Sequence, residues 1–361
     1  MVTMLDCIRR VPSLLEAIRL NRSKTTEQLL SVYPAGAFSE ICLIGSGTSF
    51  TSAFTAQYMM EKYSGMRVSV MLPNEFLRAR TCRNPKALYL FISQTGTSSA
   101  LLEALELCRQ NGLMNAVMSE KQDTPAALKA AVFISQGCGP EEYPIRTIGY
   151  STTVCSLMLT AVSVGLANGT LSPEEADLLD DQLQAAIASI PNVIESALRW
   201  MDTSRRKIMR SRFIAFTGAG ALYGVAMEGA VKVWEGPQYP SAGYELDEGM
   251  HGPNYGYNSN DAVIILNDGA PGTEKALALA RYMKNEFGNG YIFGLNAIDS
   301  RDLAFTPAGG DFCCLEFAAA VQTFMCRLAT DGGRDFAIVD KHEVMYSYFN
   351  SHTQPIKTNN K

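Results

Sequence analysis

Histidine is scarce in this sequence: there are three in 361 residues, His251, His342 and His352, with no metal-ligand spacing among them. A structural zinc site needs clustered His and Cys ligands, so neither a metal nor a cofactor is expected. The nine cysteines are an odd number and show no C-x-x-C spacing, and Cys42, Cys313 and Cys314 lie within apolar runs. They read as small buried hydrophobes in a reducing compartment. An excess of either charge is also missing. Thirty-one Lys and Arg against 36 Asp and Glu leave a net charge of −5, so there is no basic field for a nucleic-acid backbone and no acidic tail. The locally basic stretch Arg9, Arg10, Arg19, Arg22 and Lys24 reads as a solvated helix face. No run of 18 apolar residues could cross a bilayer, and no signal-peptide core opens the chain. A cytoplasmic protein without nucleic-acid or membrane partners is expected.

Length and a hydrophobic content of 47% suit two domains of ordinary size, each with a core. Near the start, two apolar runs break into loops rich in glycine and hydroxyls. The first is Ile41 to Ile44 followed by Gly45-Ser46-Gly47-Thr48-Ser49; the second is Leu88 to Ile92 followed by Ser93-Gln94-Thr95-Gly96-Thr97-Ser98-Ser99. Such residues can merely punctuate strand-to-helix turns. Two such loops at the same edge of a parallel sheet favour anion binding. Glycine admits close approach, hydroxyls donate, and helix N-termini carry partial positive charge. Neither loop has the lysine of a nucleotide-binding G-x-x-x-x-G-K-[ST] loop, which points to a single phosphoester.

A weak internal repeat follows, at offsets of 172 to 180 residues. The run from Ile41 recurs at Phe213 to Phe216, that ending at Ile92 as Ala262 to Leu266, Ala116 to Met118 as Tyr291 to Gly294, and Val132 to Ile134 as Phe312 to Cys314. Helical patterns between them, Leu101 to Gln110 and Glu274 to Phe287, imply βαβ units. The predicted fold is α/β: two tandem three-layer domains, each a mostly parallel sheet flanked by helices. The expected boundaries are 1–34 for an N-terminal helical segment, 35–190 for the first domain and 191–361 for the second with its tail. Ser172-Pro173-Glu174-Glu175 reads as a capping box opening a connecting helix that Pro191 interrupts or ends. Pro12 should kink or break the helical segment Met4 to Leu20. The second-half counterpart of the Ser/Thr loop, Asn267-Asp268-Gly269-Ala270-Pro271-Gly272, has a carboxylate that would repel phosphate. The anion site therefore belongs to the first domain.

The second half carries Glu228-Gly229-Ala230-Val231-Lys232-Val233-Trp234-Glu235 and, sixteen residues beyond Glu235, His251-Gly252-Pro253. Glu228 and Lys232, four apart, read as a surface ion pair rather than a catalytic one. Glu235 stands at an electronegative helix C-terminus, which makes it a functional candidate. His251, between Gly249 and Gly252-Pro253, is either structural or aimed into a cleft. The acidic Glu245, Asp247 and Glu248 either form a solvated loop or orient the ring.

These motifs together resemble the double sugar-isomerase-domain (SIS) family, the group containing the isomerase half of glucosamine-6-phosphate synthase and the fructosamine 6-phosphate deglycases. The resemblance covers nearly the whole chain: Ile8 to Leu15 with Pro12 matches the opening helix, Gly45 to Ser49 the first loop, and Ser93-Gln94-Thr95-Gly96 the S-Q-S/T-G loop. Glu228 to Glu235 and His251-Gly252-Pro253 match E-G-A-x-K-x-x-E and H-G-P. It implies that Ser49, Ser93, Gln94, Thr95 and Ser98 hold the sugar phosphate and that Gly47, Thr48, Thr147 and Lys232 are further substrate contacts. Glu235 would be the base between C1 and C2, and His251 would assist ring opening or act as the acid, often from a partner subunit of a homodimer.

Three departures from the family shape the expected reaction. No glutamine-hydrolysing domain precedes Met1-Val2, Thr97 replaces the Glu of S-Q-S-G-E-T, and the tail lysine of the synthases has no clear equivalent in Lys357 or Lys361. The expectation is a deglycase that cleaves a ketosamine 6-phosphate. The alternatives are a ketose/aldose phosphate isomerase or aminosugar-phosphate deaminating isomerase, and a non-catalytic sugar-phosphate sensor.

Overall fold

The computed structural model describes residues 2–79, 82–143, 145–336 and 348–353. Lys357 and Lys361 lie outside them. The helices α1 (Met4–Leu20) and α2 (Arg22–Val32) come first. In α1 the spacing of the buried Ile8, Val11, Leu15 and Ile18 gives one apolar stripe. The helix runs unbroken across Pro12, so the expected break does not occur.

The first sheet comprises β1 (Glu40–Ile44), β2 (Arg67–Met71), β3 (Ala87–Ile92), β4 (Asn115–Ser119) and β5 (Phe133–Ser135), with α3 (Thr48–Ser64), α4 (Ser99–Gln110) and α5 (Ile148–Asn168). All its pairings are parallel, in the order β2-β1-β3-β4-β5. Every residue of β3 and β4 is buried, as expected of strands covered by helices on both faces. Each fully buried Leu, Ile or Phe there contributes about 1.5–3 kcal/mol.

Next, α6 (Pro173–Ile208) opens with the expected capping box: Ser172 N donates to Glu175 Oε2 at 2.8 Å, and Glu175 N donates to Ser172 Oγ at 3.2 Å. It continues through Pro191. The buried Ile187, Ile190, Ile194 and Ala197 hold the helix together where proline removes one backbone bond.

The second sheet comprises β6 (Phe213–Gly218), β7 (Ser241–Glu245), β8 (Asp261–Asn267), β9 (Gly290–Gly294) and β10 (Leu303–Ala304), with α7 (Ala221–Glu235), α8 (Thr273–Tyr282) and α9 (Cys314–Asp331). Its order, β10-β9-β8-β6-β7, is the first sheet's order read from the other edge, again parallel throughout. One expected strand is wrong. Phe312 to Cys314 is a 3-10 turn running into α9, and the fifth strand is Leu303–Ala304. A short apolar run cannot by itself distinguish a core strand from a core helix.

The chain divides into two compact units, one of residues 14–178 with 336–361 and the other of residues 1–13 with 179–335. Residues 348–353 thus group with the first sheet. Helices Ile148–Asn168 and Gly310–Asp331 are long and apolar enough to cross a membrane, yet 83% and 89% of their most apolar windows are buried within the protein. They are core helices by that measure.

Candidate functional site

In a parallel sheet of order 2-1-3-4-5, the crevice for a ligand opens beyond the strand ends where the order reverses, between β1 and β3. Both hydroxyl loops lie there. A cavity of about 560 Å³ is lined by Gly47, Thr48 and Ser49 from the first loop and by Ser93, Gln94, Thr95 and Ser98 from the second. Seven of the residues singled out from sequence therefore share one pocket.

The backbone geometry explains the residue choice. Gly47 has φ 57° and ψ −130°, a conformation that strains any residue with a Cβ, and it starts α3 without a side-chain cap. At the second loop, Ser98 precedes α4, also without a side-chain cap. Ser93 Oγ accepts from Gly96 N at 3.1 Å, which leaves its hydrogen free to donate. Thr95 and Thr97 hydroxyls lie 2.8 Å apart. The Nε2 of Gln94 is buried and has no hydrogen-bond partner among the described residues. An unsatisfied buried donor costs about 1–3 kcal/mol, which an anion at the loop would recover. The Gln94 amide is seated against Gly149: a Cβ there would stand 2.1 Å from Gln94 Oε1.

Thr147 does not line this cavity. It is buried at the start of α5, where the Glu141 carboxylate accepts from Thr147 N at 2.5 Å, Thr147 Oγ1 at 3.1 Å, Ile148 N at 2.9 Å and Gly149 N at 3.1 Å. The positive end of α5 is thereby neutralised from within the chain.

Several lining residues were not singled out from sequence, Asn74, Gln136, Arg146, Thr153 and His352 among them. Arg146 contributes a cation to a cavity whose described lining contains no carboxylate. His352 comes from the C-terminal segment, which pairs with the second loop. Ser99 N donates to Ser351 O and Thr353 N to Thr97 O, both at 2.9 Å, and His352 Nδ1 lies 3.0 Å from Thr97 Oγ1. Burial holds the His352 pKa below its ordinary value. Arg146 stands in no recognisable motif, and the 255-residue separation of His352 from Thr97 hid their pairing; only the departure at Thr97 was a signal.

In the other unit, α7 ends at Glu235 as expected, and Gly236 N bonds back to Lys232 O at 2.8 Å. The pairing of Glu228 with Lys232 is not a surface feature. Both side chains are buried, with Lys232 Nζ 3.4 Å from Glu228 Oε1 and 2.6 Å from Glu235 Oε2. The helix is buried on most of its circumference by residues such as Val225, Ala226, Gly229 and Val233, which i,i+4 spacing alone does not reveal. Lys232 thus fixes the partly exposed Glu235 carboxylate.

His251 follows a 3-10 turn, Glu248–Met250, and its Nδ1 lies 2.8 Å from the Asp247 carbonyl. A carbonyl only accepts, so Nδ1 carries the hydrogen and Nε2 remains for proton exchange. The acidic stretch has separate tasks. Glu245 accepts from the N–H groups of Asp247 and Glu248, while the Asp247 carboxylate pairs with Lys275 at 2.6 Å, and this bond lowers its pKa. Among the described residues, the ring of His251 is oriented by a backbone carbonyl. Among the described residues no group of three or more His, Cys, Asp or Glu could hold a metal.

A hydroxyl-lined crevice at the switch point of a parallel sheet is the usual ligand-binding place of a doubly wound α/β fold. Comparison with known proteins agrees: residues 39–165 match the SIS domain family. Over 232 residues the chain is 28% identical to the glutamine–fructose-6-phosphate aminotransferase (isomerizing) of Rhizobium meliloti (strain 1021), covering 64% of this chain and 38% of that relative. The chain thus spans about two fifths of the length of the curated relatives it matches. A structure from Clostridium difficile 630, provisionally described as a phosphosugar isomerase, superposes with a TM-score of 0.88 at 22% identity, covering 98% of this chain and 100% of that one. The C-terminal domain of glucosamine-fructose-6-phosphate aminotransferase from Francisella tularensis gives 0.84 at 19% identity, covering 92% and 96%. The chain carries a SIS domain and is homologous to the isomerase domain of that aminotransferase.

Proposed function

We propose that the protein is a phosphosugar enzyme that moves a proton between C1 and C2, and that its reaction is deglycation of a ketosamine 6-phosphate. The observation that carries the sugar-phosphate part is the buried Nε2 of Gln94, without a hydrogen-bond partner among the described residues, in a side chain that lines the same cavity as Ser49, Ser93, Thr95 and Ser98, whose described lining has no carboxylate. Such a site stabilises a monoester dianion through neutral, charge-assisted donors and two helix N-termini.

In this reading Ser49, Ser93, Gln94, Thr95 and Ser98 hold the phosphate, with Gly47 and Thr48 supplying close backbone. Thr147 shapes the pocket from behind through α5. Glu235, held by Lys232, removes the C1 proton of the open-chain ketosamine to give an enaminol. Reprotonation at C2 yields an imine at C1, and water splits it into aldose 6-phosphate and free amine. His251, with its hydrogen fixed on Nδ1, opens the sugar ring or acts as the acid through Nε2. The enzyme works as a homodimer in the cytoplasm.

Thr97, where the synthases have Glu, sets the substrate preference apart from theirs. The Lys232-anchored base serves a ketose/aldose phosphate isomerase equally well, so that reaction is the second reading. Purified protein incubated with ketosamine 6-phosphates and simple hexose phosphates, followed by mass spectrometry, separates them: amine release supports deglycation, aldose–ketose exchange alone supports isomerisation, and neither sinks both. Glu235→Gln should lower turnover by about 10²- to 10⁴-fold while leaving ligand binding intact.

A further inference from the structure

Arg146 differs from every other polar group in the cavity. The remaining described lining is neutral apart from the imidazole of His352. Among the described residues, Arg146 bonds only through Nη1, to the carbonyls of Glu141 at 3.5 Å and Tyr143 at 3.4 Å, with the Glu141 carboxylate at 3.9 Å. All three contacts are long. That carboxylate is already engaged by four donors at the start of α5. The Nε and Nη2 atoms of Arg146, the planar fork that matches a carboxylate, take part in none of these bonds. Position matters as much as charge. The hydroxyl and amide donors come from the loops after β1 and β3, whereas Arg146 enters from the approach to α5. A hexose phosphate offers one strongly anionic group, and the two loops already serve it. A guanidinium only 22% exposed, whose fork is unused among the described residues, is costly to bury without a second anion.

We propose that Arg146 is a specificity residue that binds a second anionic group of the substrate, the carboxylate borne by the amine half of an amino-acid ketosamine 6-phosphate. The inference rests on the sugar-phosphate reading of the same cavity and narrows its substrate class. Phosphate on the loops and carboxylate on Arg146 would fix both ends of the open chain and leave the reacting carbons between them. A ligand lacking the carboxylate would keep its phosphate contacts and lose only the fork.

The test is titration calorimetry in a Glu235→Gln background, where ligand persists, with Arg146 intact, Arg146→Gln or Arg146→Lys. Three probes are needed: a hexose 6-phosphate, a ketosamine 6-phosphate whose amine carries a carboxylate, and one whose amine is a plain alkyl group. Arg146→Gln should weaken the carboxylated probe by about tenfold or more and the other two by less than about twofold, because a hydrogen bond to a charged group is worth that much. Arg146→Lys should recover part of the loss, since it keeps the charge but not the fork. Equal losses on all three probes make Arg146 a phosphate ligand or a structural residue and overturn the proposal, as does no loss on any. Amine release by the unaltered protein is scored separately. Absence of release beside an Arg146-dependent preference sinks deglycation and leaves the carboxylate subsite standing.

Discussion

The loop after β1 and the loop after β6 share a backbone and differ in side chains. Gly47 and Gly220 have φ of 57° and 56° with ψ of −130° and −128°, and each starts a helix. In both loops the earlier glycine, Gly45 or Gly218, has no room for a Cβ, which would meet Ser49 at 2.9 Å or Leu222 at 2.8 Å. The first loop then presents Ser46, Thr48 and Ser49, and the second presents Ala219, Ala221 and Leu222. The helices that follow show the reverse. Glu228, Lys232 and Glu235 of α7 stand where α3 has Thr55, Met59 and Lys62. The first copy has the hydroxyls and lacks the Glu-Lys-Glu cluster; the second has the cluster and lacks the hydroxyls. Under the proposed function, this division keeps the Glu235 carboxylate off the loop that would hold the phosphate.

Substitutions that erase this division should have effects of graded size. The largest is Lys232→Met, which gives α7 the residue of α3 and leaves buried Glu228 without its cation. It should destabilise the protein by about 3–5 kcal/mol in denaturant unfolding. A loss under about 1 kcal/mol would mean the cluster is not held by its charge balance. Next, giving the first loop the bareness of the second through Ser46→Ala, Thr48→Ala and Ser49→Ala should cut hexose 6-phosphate affinity about 100-fold, at one to two charge-assisted bonds lost, with little change in Tm. Unchanged affinity would break the comparison.

Gly47→Ala and Gly220→Ala should each cost about 1–3 kcal/mol, since their backbones are alike, but only the first should weaken ligand binding. The smallest effect concerns His352. Burial lowers its folded pKa, so the folded state binds fewer protons than the unfolded one near and below the ordinary value. Docking of residues 351–353 on the second loop is then fully present above about pH 6.5 and weakens as pH falls through the lowered value. Hydrogen exchange at Ser99 N–H, which donates to Ser351 O, reads this directly. His352→Gln should abolish the pH dependence.

Much of this was legible in the sequence because parallel-sheet strands are apolar on both faces and their exit loops keep glycine where the backbone demands it. Leu88 to Ile92 announce the strand, and Ser93 to Ser99 the loop that follows it to the cavity. The failures have physical causes. Phe312 to Cys314 carries the composition of a core strand but belongs to a helix buried along most of its length. Pro12 and Pro191 sit within helices that tertiary burial keeps continuous through the lost bond. Glu228 and Lys232 have the spacing of a surface pair, and nothing local announces that the helix between them is enclosed. Arg146 and His352 reach the cavity through chain reversals that no periodicity encodes.

The register of Ser351 to Thr353 against Thr97 to Ser99 has a practical corollary for handling the protein. A purification handle appended beyond residue 353 would follow the bridge between Ser98 and His352 at the edge of the cavity, where its bulk or charge would compete with an incoming ligand. Activity recorded on such a fusion would report on the handle as much as on the enzyme, and an amino-terminal handle is the sounder choice.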